Sequence, residues 1–435
     1  MNKITIEGVE VDPTFLSKPE EIDPDSYVIA QYYVESEYPL VKAGEQIAIE
    51  ESIGTWTEVK TQTEWIRKHL AAKVFKYDKG NKGMIFVAYP LELFDIEIGG
   101  IPNLLSIVAG NLFGLSSLER CKLIDIQLPK DFVKAFKGPK FGIEGVRSIV
   151  GTLESRRPHL GTIVKPKVGL SPEQTAEVAY EAAIGGVDLV KDDETLTSQK
   201  FCPFEDRLVK VLEKLDQVKE ETGRTVLYAA NITASIDKMI ELADIAIEHG
   251  ANCLMVDVLT AGFTALQKIA EDPSIKVPIH VHRAMHAALT RLKTHGISMM
   301  VIAKLVRLAG GDQLHTGTAA GKMGIKGEWK EIRKINDFLR SDWYGLKTVL
   351  PVASGGIHPG IVPINIKLLG NDIMINAGGG IHGHPWGTRA GAKAMKQAIE
   401  ATMKGIPLEE YAKDHPELKA ALEKWGTMFA EKVKE

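Results

Sequence analysis

Short runs of β-branched and aliphatic residues alternate with longer amphipathic segments through the second half of the chain. The amphipathic segments have helix boundaries: residues 172–185 follow Ser171, and residues 236–249 end before Gly250. Eight strand–helix units over roughly 240 residues match a (β/α)8 barrel, an α/β fold also called a TIM barrel, in number and size. The predicted strands are residues 160–165, 187–191, 226–231, 253–257, 278–282, 313–315, 349–354 and 372–377.

The first 140 residues are less regular. Their strand-like stretches, residues 27–34, 85–89 and 122–128, do not alternate with helices, which favours a small α+β domain with an antiparallel sheet. A chain of 435 residues is long enough for two hydrophobic cores. We therefore expect an N-terminal α+β domain over residues 1–140 and a barrel domain over residues 141–435, the latter ending in additional helices.

Composition narrows the classes of partner. A hydrophobic content of 44% with a net charge of -4 is typical of a soluble globular protein and leaves no strongly basic surface for nucleic acid. No apolar run approaches the roughly 20 residues that span a bilayer. The three cysteines are too widely spaced for a zinc site or a disulfide framework. We expect a cytoplasmic protein with buried thiols and without nucleic-acid or membrane partners.

Each of the eight predicted strands ends in polar residues or glycines. One polar residue at a strand end is equally compatible with a cap or a loop contact, but a complete ring of them favours an active site, which barrel enzymes build at this end. The residues that end the strands or follow them are Lys165 and Lys167, residues 191–194, Asn231, Asp257, His282 and Arg283, His315, residues 354–356, and residues 378–380.

Residues 191–194, with the sequence KDDE, place one amine beside three acids. Because side chains alternate along a strand, Lys191 and Asp193 share a face, and Glu194 begins the following loop. At a buried strand end these charges would destabilise one another unless a cation or a modification relieves them. Oxygen ligands of this kind suit Mg²⁺. The alternative is a solvated acidic loop in which Lys191 forms a salt bridge.

The glycines after the last two strands favour anion binding. Barrel enzymes often hold a phosphate on backbone N–H groups there, although glycines can also serve only as tight turns. Arg283 and His315 could hold a second anion, because a guanidinium donates two hydrogen bonds to phosphate oxygens. Two anion sites on either side of a metal indicate a bisphosphate of a small sugar as the substrate.

Taken in chain order, these motifs resemble the large subunit of ribulose-1,5-bisphosphate carboxylase/oxygenase (Rubisco). The resemblance extends from about residue 25 to the C-terminal region, and residues 142–147 are similar to the archaeal-type form III enzymes. The motifs that carry it are Glu50, GTWT at 54–57, GNLFG at 110–114, GTIVKPK at 161–167, KDDE at 191–194, HRAMH at 282–286, GDQLH at 311–315, GK at 321–322, PVASGG at 351–356, GGG at 378–380 and HPWG at 384–387.

The resemblance implies carboxylation, and oxygenation, of ribulose 1,5-bisphosphate to 3-phosphoglycerate through an enediolate. Its substrates would be the bisphosphate, CO₂ and O₂. Activating CO₂ would convert Lys191 into a carbamate that acts as the base and, with Asp193 and Glu194, holds Mg²⁺. The other catalytic residues would be Lys165 in the final protonation, His282 in proton transfers during hydration, and Lys322, on a mobile loop, in contact with the added CO₂.

The resemblance also implies the substrate contacts. One phosphate would be held by Thr55, Trp56, Lys322, Gly356, Gly378 and Gly379, and the other by Arg283, His315 and Ser354. Lys167 and Gly355 complete the substrate-binding set. Glu50 and Asn111 would come from the neighbouring subunit, so we expect a homodimer or an assembly of dimers, without a small subunit.

Two other hypotheses remain open. A Rubisco-like enolase or isomerase, acting on a sugar phosphate or methylthio-sugar phosphate, would also keep the metal ligands, but the presence of Lys165 and Lys322 argues against it. A noncatalytic binding protein would leave the charged strand ends unexplained. The chain also departs from many family members at four positions. Ile163 stands where many have Thr, Thr316 where many have Ser, Met323 where many have Leu, and Asn376 where many have Gln.

Overall fold

The computed structural model of the protein describes residues 3–55, 57, 59–321 and 328–427. Its strands in chain order are β1 Ile4–Ile6, β2 Val9–Val11, β3 Tyr27–Ser36, β4 Lys73–Tyr77, β5 Lys82–Pro90, β6 Leu118–Gln127, β7 His159–Ile163, β8 Leu189–Lys191, β9 Leu227–Asn231, β10 Cys253–Asp257, β11 Ile279–His282, β12 Gly296–Ile297, β13 Gln313–His315, β14 Leu350–Ser354 and β15 Met374–Asn376.

The α-helices are named in the same way. They are α1 Leu40–Glu50, α2 Glu64–Leu70, α3 Gly100–Val108, α4 Lys130–Lys134, α5 Gly142–Val150, α6 Pro172–Gly185, α7 Phe204–Thr222, α8 Ile236–Glu248, α9 Val258–Ala261, α10 Phe263–Glu271, α11 His286–Thr290, α12 Met299–Ala309, α13 Trp329–Arg340, α14 Val362–Leu369, α15 Gly379–His382, α16 Thr388–Met403, α17 Leu408–Tyr411 and α18 Pro416–Trp425. Within the described ranges, none of them combines the length and the apolar character that crossing a membrane requires.

Eight parallel strands close into a barrel, so the predicted (β/α)8 fold is confirmed. The order around the barrel is β7-β8-β9-β10-β11-β13-β14-β15, and β15 pairs with β7 to complete it. All eight predicted strands occur in the predicted order. Their bounds agree within two residues at each end, with β10 and β13 matching fully and β15 shorter than predicted at both ends.

Apolar side chains fill the barrel interior below its polar rim. The cluster comprises Ile143, Val146, Leu189, Leu227, Ala229, Cys253, Met255, Leu350, Val352 and Met374. Because alternate residues of a strand face the same way, the next inward position after Leu189 is Lys191, and the next after Met255 is Asp257. The interior therefore changes from apolar to charged within two residues at the C-terminal ends of the strands.

Local sequence explains where the barrel helices begin and end. In α6, Ser171 Oγ accepts from Gln174 N at 3.2 Å, and Gln174 Oε1 accepts from Ser171 N at 2.9 Å, which is a capping box. Pro172 occupies the first turn, where it needs no hydrogen-bond donor. At the C-terminal end of α7, Gly223 adopts a left-handed φ of 70°, a conformation that ends helices and favours glycine.

The N-terminal unit contains residues up to Phe136 together with Met285–Leu305. Its five-stranded sheet has the order β12-β6-β3-β5-β4, antiparallel except where β12 runs parallel to β6. In β3, partly exposed and buried residues alternate along all ten positions, as expected for a strand with one face on a core. The segment Met285–Leu305, which the sequence analysis assigned to the barrel domain, thus supplies an edge strand to this sheet.

A buried ion pair joins the N-terminal ends of the first two barrel strands. Asp188, which is 1% exposed, accepts from Arg157 Nη1 at 2.7 Å and Nη2 at 2.8 Å, and from Leu160 N at 2.8 Å. Burial opposes ionisation of Asp188, but the hydrogen bonds and charge of Arg157 prevail and lower the pKa of Asp188 to about 2. The carboxylate is therefore ionised at all pH values near neutrality.

Replacing this carboxylate should destabilise the barrel strongly. Asp188→Ala is expected to lower the free energy of unfolding by about 3–5 kcal/mol at pH 7, because it leaves Arg157 without its buried partner. Since the native pKa lies below the unfolded value, the contribution of Asp188 is present above about pH 4 and lost as the pH falls towards 2. Urea unfolding at pH 7 and pH 3 measures both effects.

The matched control is the partly exposed pair of Arg389 and Glu181, whose closest atoms are 2.7 Å apart. Glu181→Ala is expected to change the free energy of unfolding by at most about 1 kcal/mol. Equal losses in the two variants would contradict the importance that we assign to the burial of Asp188.

Candidate active site

Lys191 is the last residue of β8 and is fully buried. Its Nζ has no hydrogen-bond partner among the described residues, and Glu194 Oε2 lies 3.6 Å away. Burial lowers the pKa of Lys191 from its usual 10.5, against the opposing effect of Glu194 and Asp193. The barrel rim therefore holds an amine that loses its proton more readily than an exposed lysine.

Asp193 lies beside a second lysine. Its Oδ2 accepts from Lys165 Nζ at 3.0 Å, and its Oδ1 accepts from Thr195 Oγ1 at 2.7 Å and Thr195 N at 3.1 Å. Burial alone would raise the pKa of Asp193, but these donors lower it overall. The ends of β7 and β8 thus bring Lys165, Lys191, Asp193 and Glu194 into one cluster with an ionised Asp193.

Asp192 has a different role from its neighbours. It is completely buried, and its carboxylate accepts from Tyr228 Oη at 2.6 Å, Arg207 Nη2 at 3.2 Å and Asn231 N at 2.9 Å. Asn231 in turn donates from Nδ2 to Leu196 O at 2.9 Å. Asp192 and Asn231 therefore fix the loop after β8, and only Lys191, Asp193 and Glu194 of the four-residue motif remain for chemistry.

His282 lies between two carboxylates at the end of β11. Its Nε2 is 3.6 Å from Glu194 Oε2, and its Nδ1 is 3.9 Å from Asp257 Oδ1. Ala284 N donates to His282 Nδ1 at 3.1 Å and to Asp257 Oδ1 at 3.0 Å. Because Nδ1 accepts this hydrogen bond, the neutral ring carries its proton on Nε2, facing Glu194.

A chain of buried hydrogen bonds runs from Gln313 to Ser354. His280 Nδ1 lies 2.6 Å from Gln313 Oε1, His280 Nε2 lies 2.7 Å from His315 Nε2, and His315 Nδ1 lies 2.9 Å from Ser354 Oγ. Burial lowers the pKa of His280 to about 3 and the pKa of His315 well below its usual value, so both rings are neutral near pH 7.

The side-chain amide oxygen of Gln313, at one end of this series of hydrogen bonds, determines which ring nitrogens of His280 and His315 carry a proton. Gln313 Oε1 can only accept, so His280 carries its proton on Nδ1 and accepts on Nε2. His315 then donates from Nε2, and its Nδ1 accepts from the Ser354 hydroxyl. His280 and Gln313 were missed by the sequence analysis, although the spacing of His280 and His282 by two residues indicates a shared inward face.

Glycines at the strand ends make room for neighbouring side chains and turns. A Cβ on Gly378 would lie 3.1 Å from Lys165 Cε, and one on Gly317, where φ is 109°, would lie 3.1 Å from Arg283 Nη2. A Cβ on Gly321 would lie 2.2 Å from Gly355 O. Gly378 and Gly379 also begin α15, whose first N–H groups have no partner within the helix.

The remaining predicted site residues have fewer described contacts. In the N-terminal unit, Asn111 Nδ2 donates to Glu50 Oε1 at 3.3 Å, and Thr55 is exposed. Lys167 is exposed on the loop after β7. Trp56 and Lys322 lie outside the described residues, so their predicted roles stay predictions.

Two histidines near the glycine-rich end have structural contacts. His382 Nε2 lies 2.8 Å from Ile163 O and 3.0 Å from Thr162 Oγ1, which braces the end of β7. His384 Nε2 lies 2.9 Å from Glu417 O, and His384 Nδ1 accepts from Trp386 N at 3.0 Å. These contacts account for both rings without a ligand.

Two protein-family models match the chain. Residues 142–425 match the model of the ribulose bisphosphate carboxylase large chain, catalytic domain, and residues 17–132 match that of its N-terminal domain. A ribulose bisphosphate carboxylase of Methanocaldococcus jannaschii is 50% identical over 89% of this chain and 94% of the relative. The chain belongs to the ribulose bisphosphate carboxylase large-chain family. The resemblance identified from the sequence motifs, and the enzyme class it implies, are thereby confirmed.

Solved Rubisco structures share the fold over nearly the whole chain. An octameric Rubisco from Pyrococcus horikoshii has a TM-score of 0.89 at 45% identity, covering 95% of this chain and 96% of that one. A dimeric archaeal Rubisco from Hyperthermus butylicus has a TM-score of 0.86 at 42% identity, covering 95% and 99%. Both structures thus match the chain over its N-terminal and its barrel domain.

Removing Gln313 Oε1, the acceptor at one end of this series of hydrogen bonds, should leave the proton positions on His280 and His315 undetermined. In Gln313→Leu, His280 loses the group that selects its tautomer, so we expect a mixture of neutral tautomers at His280 and His315. The measurement is the ring ¹⁵N chemical shifts at pH 7 of the protein labelled with ¹⁵N-histidine.

Gln397→Leu is the matched control. Gln397 is also buried, but it bonds to Leu418 N and Glu417 on the C-terminal helices, so its loss should leave both rings in single tautomers. Unchanged ring shifts in Gln313→Leu would show that Gln313 does not set the proton positions.

Proposed function

We propose that this chain carboxylates ribulose 1,5-bisphosphate to 3-phosphoglycerate, and also oxygenates it, through an enediolate of the substrate. The observation that carries the proposal is the buried amine of Lys191, unpartnered among the described residues and 3.6 Å from Glu194. Family membership supports the same reaction. The ring of Lys165, His282, Arg283, His315 and Ser354 at the other strand ends supplies the polar groups that a bisphosphate requires.

Lys191 is suited to modification by CO₂. Only an unprotonated amine attacks CO₂, and burial shifts Lys191 towards that form. The nitrogen forms a bond to the carbon of CO₂ and releases one proton to solvent, which leaves an anionic carbamate. This change puts an anion beside two acids where a neutral amine stood, so it is favourable only when a cation binds at the same place.

The oxygen donors fit Mg²⁺. Among the described residues, no group of three His, Cys, Asp or Glu side chains is placed to hold a metal ion. The predicted set therefore needs the carbamate of Lys191 as its third ligand beside Asp193 and Glu194, both of which supply hard oxygen atoms. When bound, Mg²⁺ would polarise substrate oxygens and lower the free energy of the negative charge that develops on them.

The protein side chains then move the protons. Lys191, once carbamylated, would accept the C3 proton of the substrate, and His282, whose Nε2 faces Glu194, would assist transfers at C3 during hydration. Lys165, held 3.0 Å from Asp193, protonates the carbanion that remains after carbon–carbon cleavage. Lys322 is proposed to contact the added CO₂.

Two groups of donors would hold the phosphates at opposite sides of the rim. Arg283, His315 and Ser354 would surround one, with the guanidinium of Arg283 as its main donor. The Ser354 hydroxyl, which lies 2.9 Å from His315 Nδ1, would turn from that nitrogen to donate to a phosphate oxygen. The other would take backbone N–H groups of Gly356, Gly378 and Gly379, together with Thr55, Trp56 and Lys322. Gly355 and Lys167 complete the proposed substrate contacts.

A labelling assay tests the reaction. Purified protein preincubated with CO₂ and Mg²⁺ should transfer label from bicarbonate into acid-stable 3-phosphoglycerate when ribulose 1,5-bisphosphate is added. Lys191→Ala should abolish incorporation, and EDTA should abolish it in the unchanged protein, because both remove the metal site. Lys268→Ala, which removes an exposed lysine on α10, serves as the control and should retain full activity.

Two outcomes would contradict the proposal. Full activity of Lys191→Ala would exclude the carbamate, and enolisation of another sugar phosphate without label in 3-phosphoglycerate would favour the enolase hypothesis.

We further propose that residues 1–140 contribute Glu50, Thr55, Trp56 and Asn111 to the active site of a neighbouring subunit, without a small subunit. The dimeric and octameric archaeal Rubisco structures are self-assemblies and support this arrangement. The smallest functional unit would then be a homodimer with two composite sites related by twofold symmetry.

Mixing two severely impaired variants tests the composite site. Lys191→Ala is defective in the barrel and Asn111→Ala in the N-terminal domain, so a mixed dimer has one site with both defects and one with neither. Subunit exchange of equal amounts should recover about a quarter of the activity of the unchanged protein, because half of the dimers are mixed and each has one intact site. No recovery, with exchange verified by mass spectrometry, would show that each site lies within one subunit.

A further inference from the structure

Glu51 makes two hydrogen bonds to consecutive backbone N–H groups. It directly follows α1, and its Oε2 accepts from Gly110 N at 3.0 Å while its Oε1 accepts from Asn111 N at 2.9 Å. Its side chain is nearly buried, at 6% exposure, whereas Asn111 is exposed. The turn that carries Asn111 is thus attached to the core of the N-terminal unit by one carboxylate.

The same turn brings the Asn111 side chain to Glu50. Asn111 Nδ2 donates to Glu50 Oε1 at 3.3 Å, so the adjacent residues Glu50 and Glu51 hold the side chain and the backbone of Asn111, respectively. Gly110 is required for this approach: a Cβ there would lie 2.2 Å from Ser106 O and 2.9 Å from Glu51 Oε2. The position has no room for a side chain while Glu51 keeps its place.

We propose that Glu51 is a positioning residue that fixes the Gly110–Asn111 turn and thereby presents the Asn111 amide and Glu50 as one unit to the substrate. The inference rests on the proposed function, in which Asn111 and Glu50 belong to the active site. Glu51 itself touches no substrate, and acts through the backbone of Asn111.

The positioning depends on the charge state of Glu51. An ionised carboxylate accepts at both oxygens, whereas a protonated one turns one oxygen into a donor that faces a backbone N–H. Burial raises the pKa of Glu51 to about 7, against the lowering effect of the backbone N–H donors. The turn therefore has both hydrogen bonds above pH 7 and loses one as the pH falls below it.

Three buried neighbours of Glu51 stay neutral near pH 7. The neighbours that interact with it electrostatically are Glu50, Tyr32 on β3, Tyr89 on β5 and Cys121 on β6. Burial raises the pKa of Tyr32, Tyr89 and Cys121 above their usual values, which keeps all three neutral near pH 7. A change of the turn near neutral pH that Glu51→Gln removes can therefore be assigned to Glu51 rather than to these three groups.

The first test compares Glu51→Gln with the unchanged enzyme across pH. The amide resembles the protonated acid because it accepts at only one atom, so kcat/KM should be roughly tenfold lower than that of the unchanged enzyme at pH 8 and nearly equal at pH 6. Taking the ratio of the two removes every titration that they share. Glu92→Gln, an exposed position in the same unit, should give a ratio near one at each pH. A ratio for Glu51→Gln that is independent of pH would overturn the proposal.

The second test is a double-mutant cycle. If Glu51 acts through Asn111, Glu51→Gln should have little further effect on kcat/KM when Asn111 is already alanine. Independent, additive losses would show that Glu51 supports the domain in general and would also overturn the proposal.

The third test does not require activity. In protein with ¹⁵N-labelled glycine and asparagine, the amide signals of Gly110 and Asn111 should titrate with a midpoint near pH 7, and Glu51→Gln should remove that titration. Absence of the titration in the unchanged protein would overturn the proposed dependence of the turn on the charge of Glu51. If it is present while no label enters 3-phosphoglycerate, the proposed reaction is wrong although Glu51 still holds the turn.

Discussion

The burial of the Lys191 amine is the constraint on which the active-site end of the barrel depends. A lysine at this depth lacks water, and within the described part of the chain its nitrogen has no hydrogen-bond acceptor. Such a group is tolerated only if nearby acids compensate its charge or if it becomes neutral. Glu194 and Asp193 provide the compensation, and the lowered pKa provides the neutral form.

Because side chains alternate along the strand, the acids next to Lys191 face different neighbours and have different roles. Asp192 points to Arg207 and Tyr228 and is fully satisfied there, which anchors the loop without adding charge to the rim. Asp193, by contrast, meets Lys165 from the neighbouring strand. A similar division holds on the opposite side, where the neutral rings of His280 and His315 transmit the orientation set by Gln313 to Ser354. Asp192, His280 and Gln313 thus order the rim, although none of them needs to touch a substrate.

Sequence predicted the barrel well because strand spacing and strand-end residues are local properties. The positions of Lys191, Asp193, His282 and His315 at or just after strand ends were predicted for that reason. The partners that decide their environment were not predictable, since Arg207 reaches Asp192 from a helix and Gln313 reaches His280 from the adjacent strand. Glu51 carried no signal because the groups that donate to it are backbone N–H groups about sixty residues away. The assignment of Met285–Leu305 to the N-terminal unit likewise depends on a long-range strand pairing.

That pairing has a consequence for synthesis on the ribosome. The chain passes between the two units after Phe136, after Ala284 and after Leu305. Strand β6 is therefore translated long before β12, which pairs with its edge. An unpaired strand edge is prone to associate with other chains. About half of the barrel must be translated while this edge is open. Nascent chains that stall between Phe136 and Gly296 are thus the ones for which protection by a chaperone matters most.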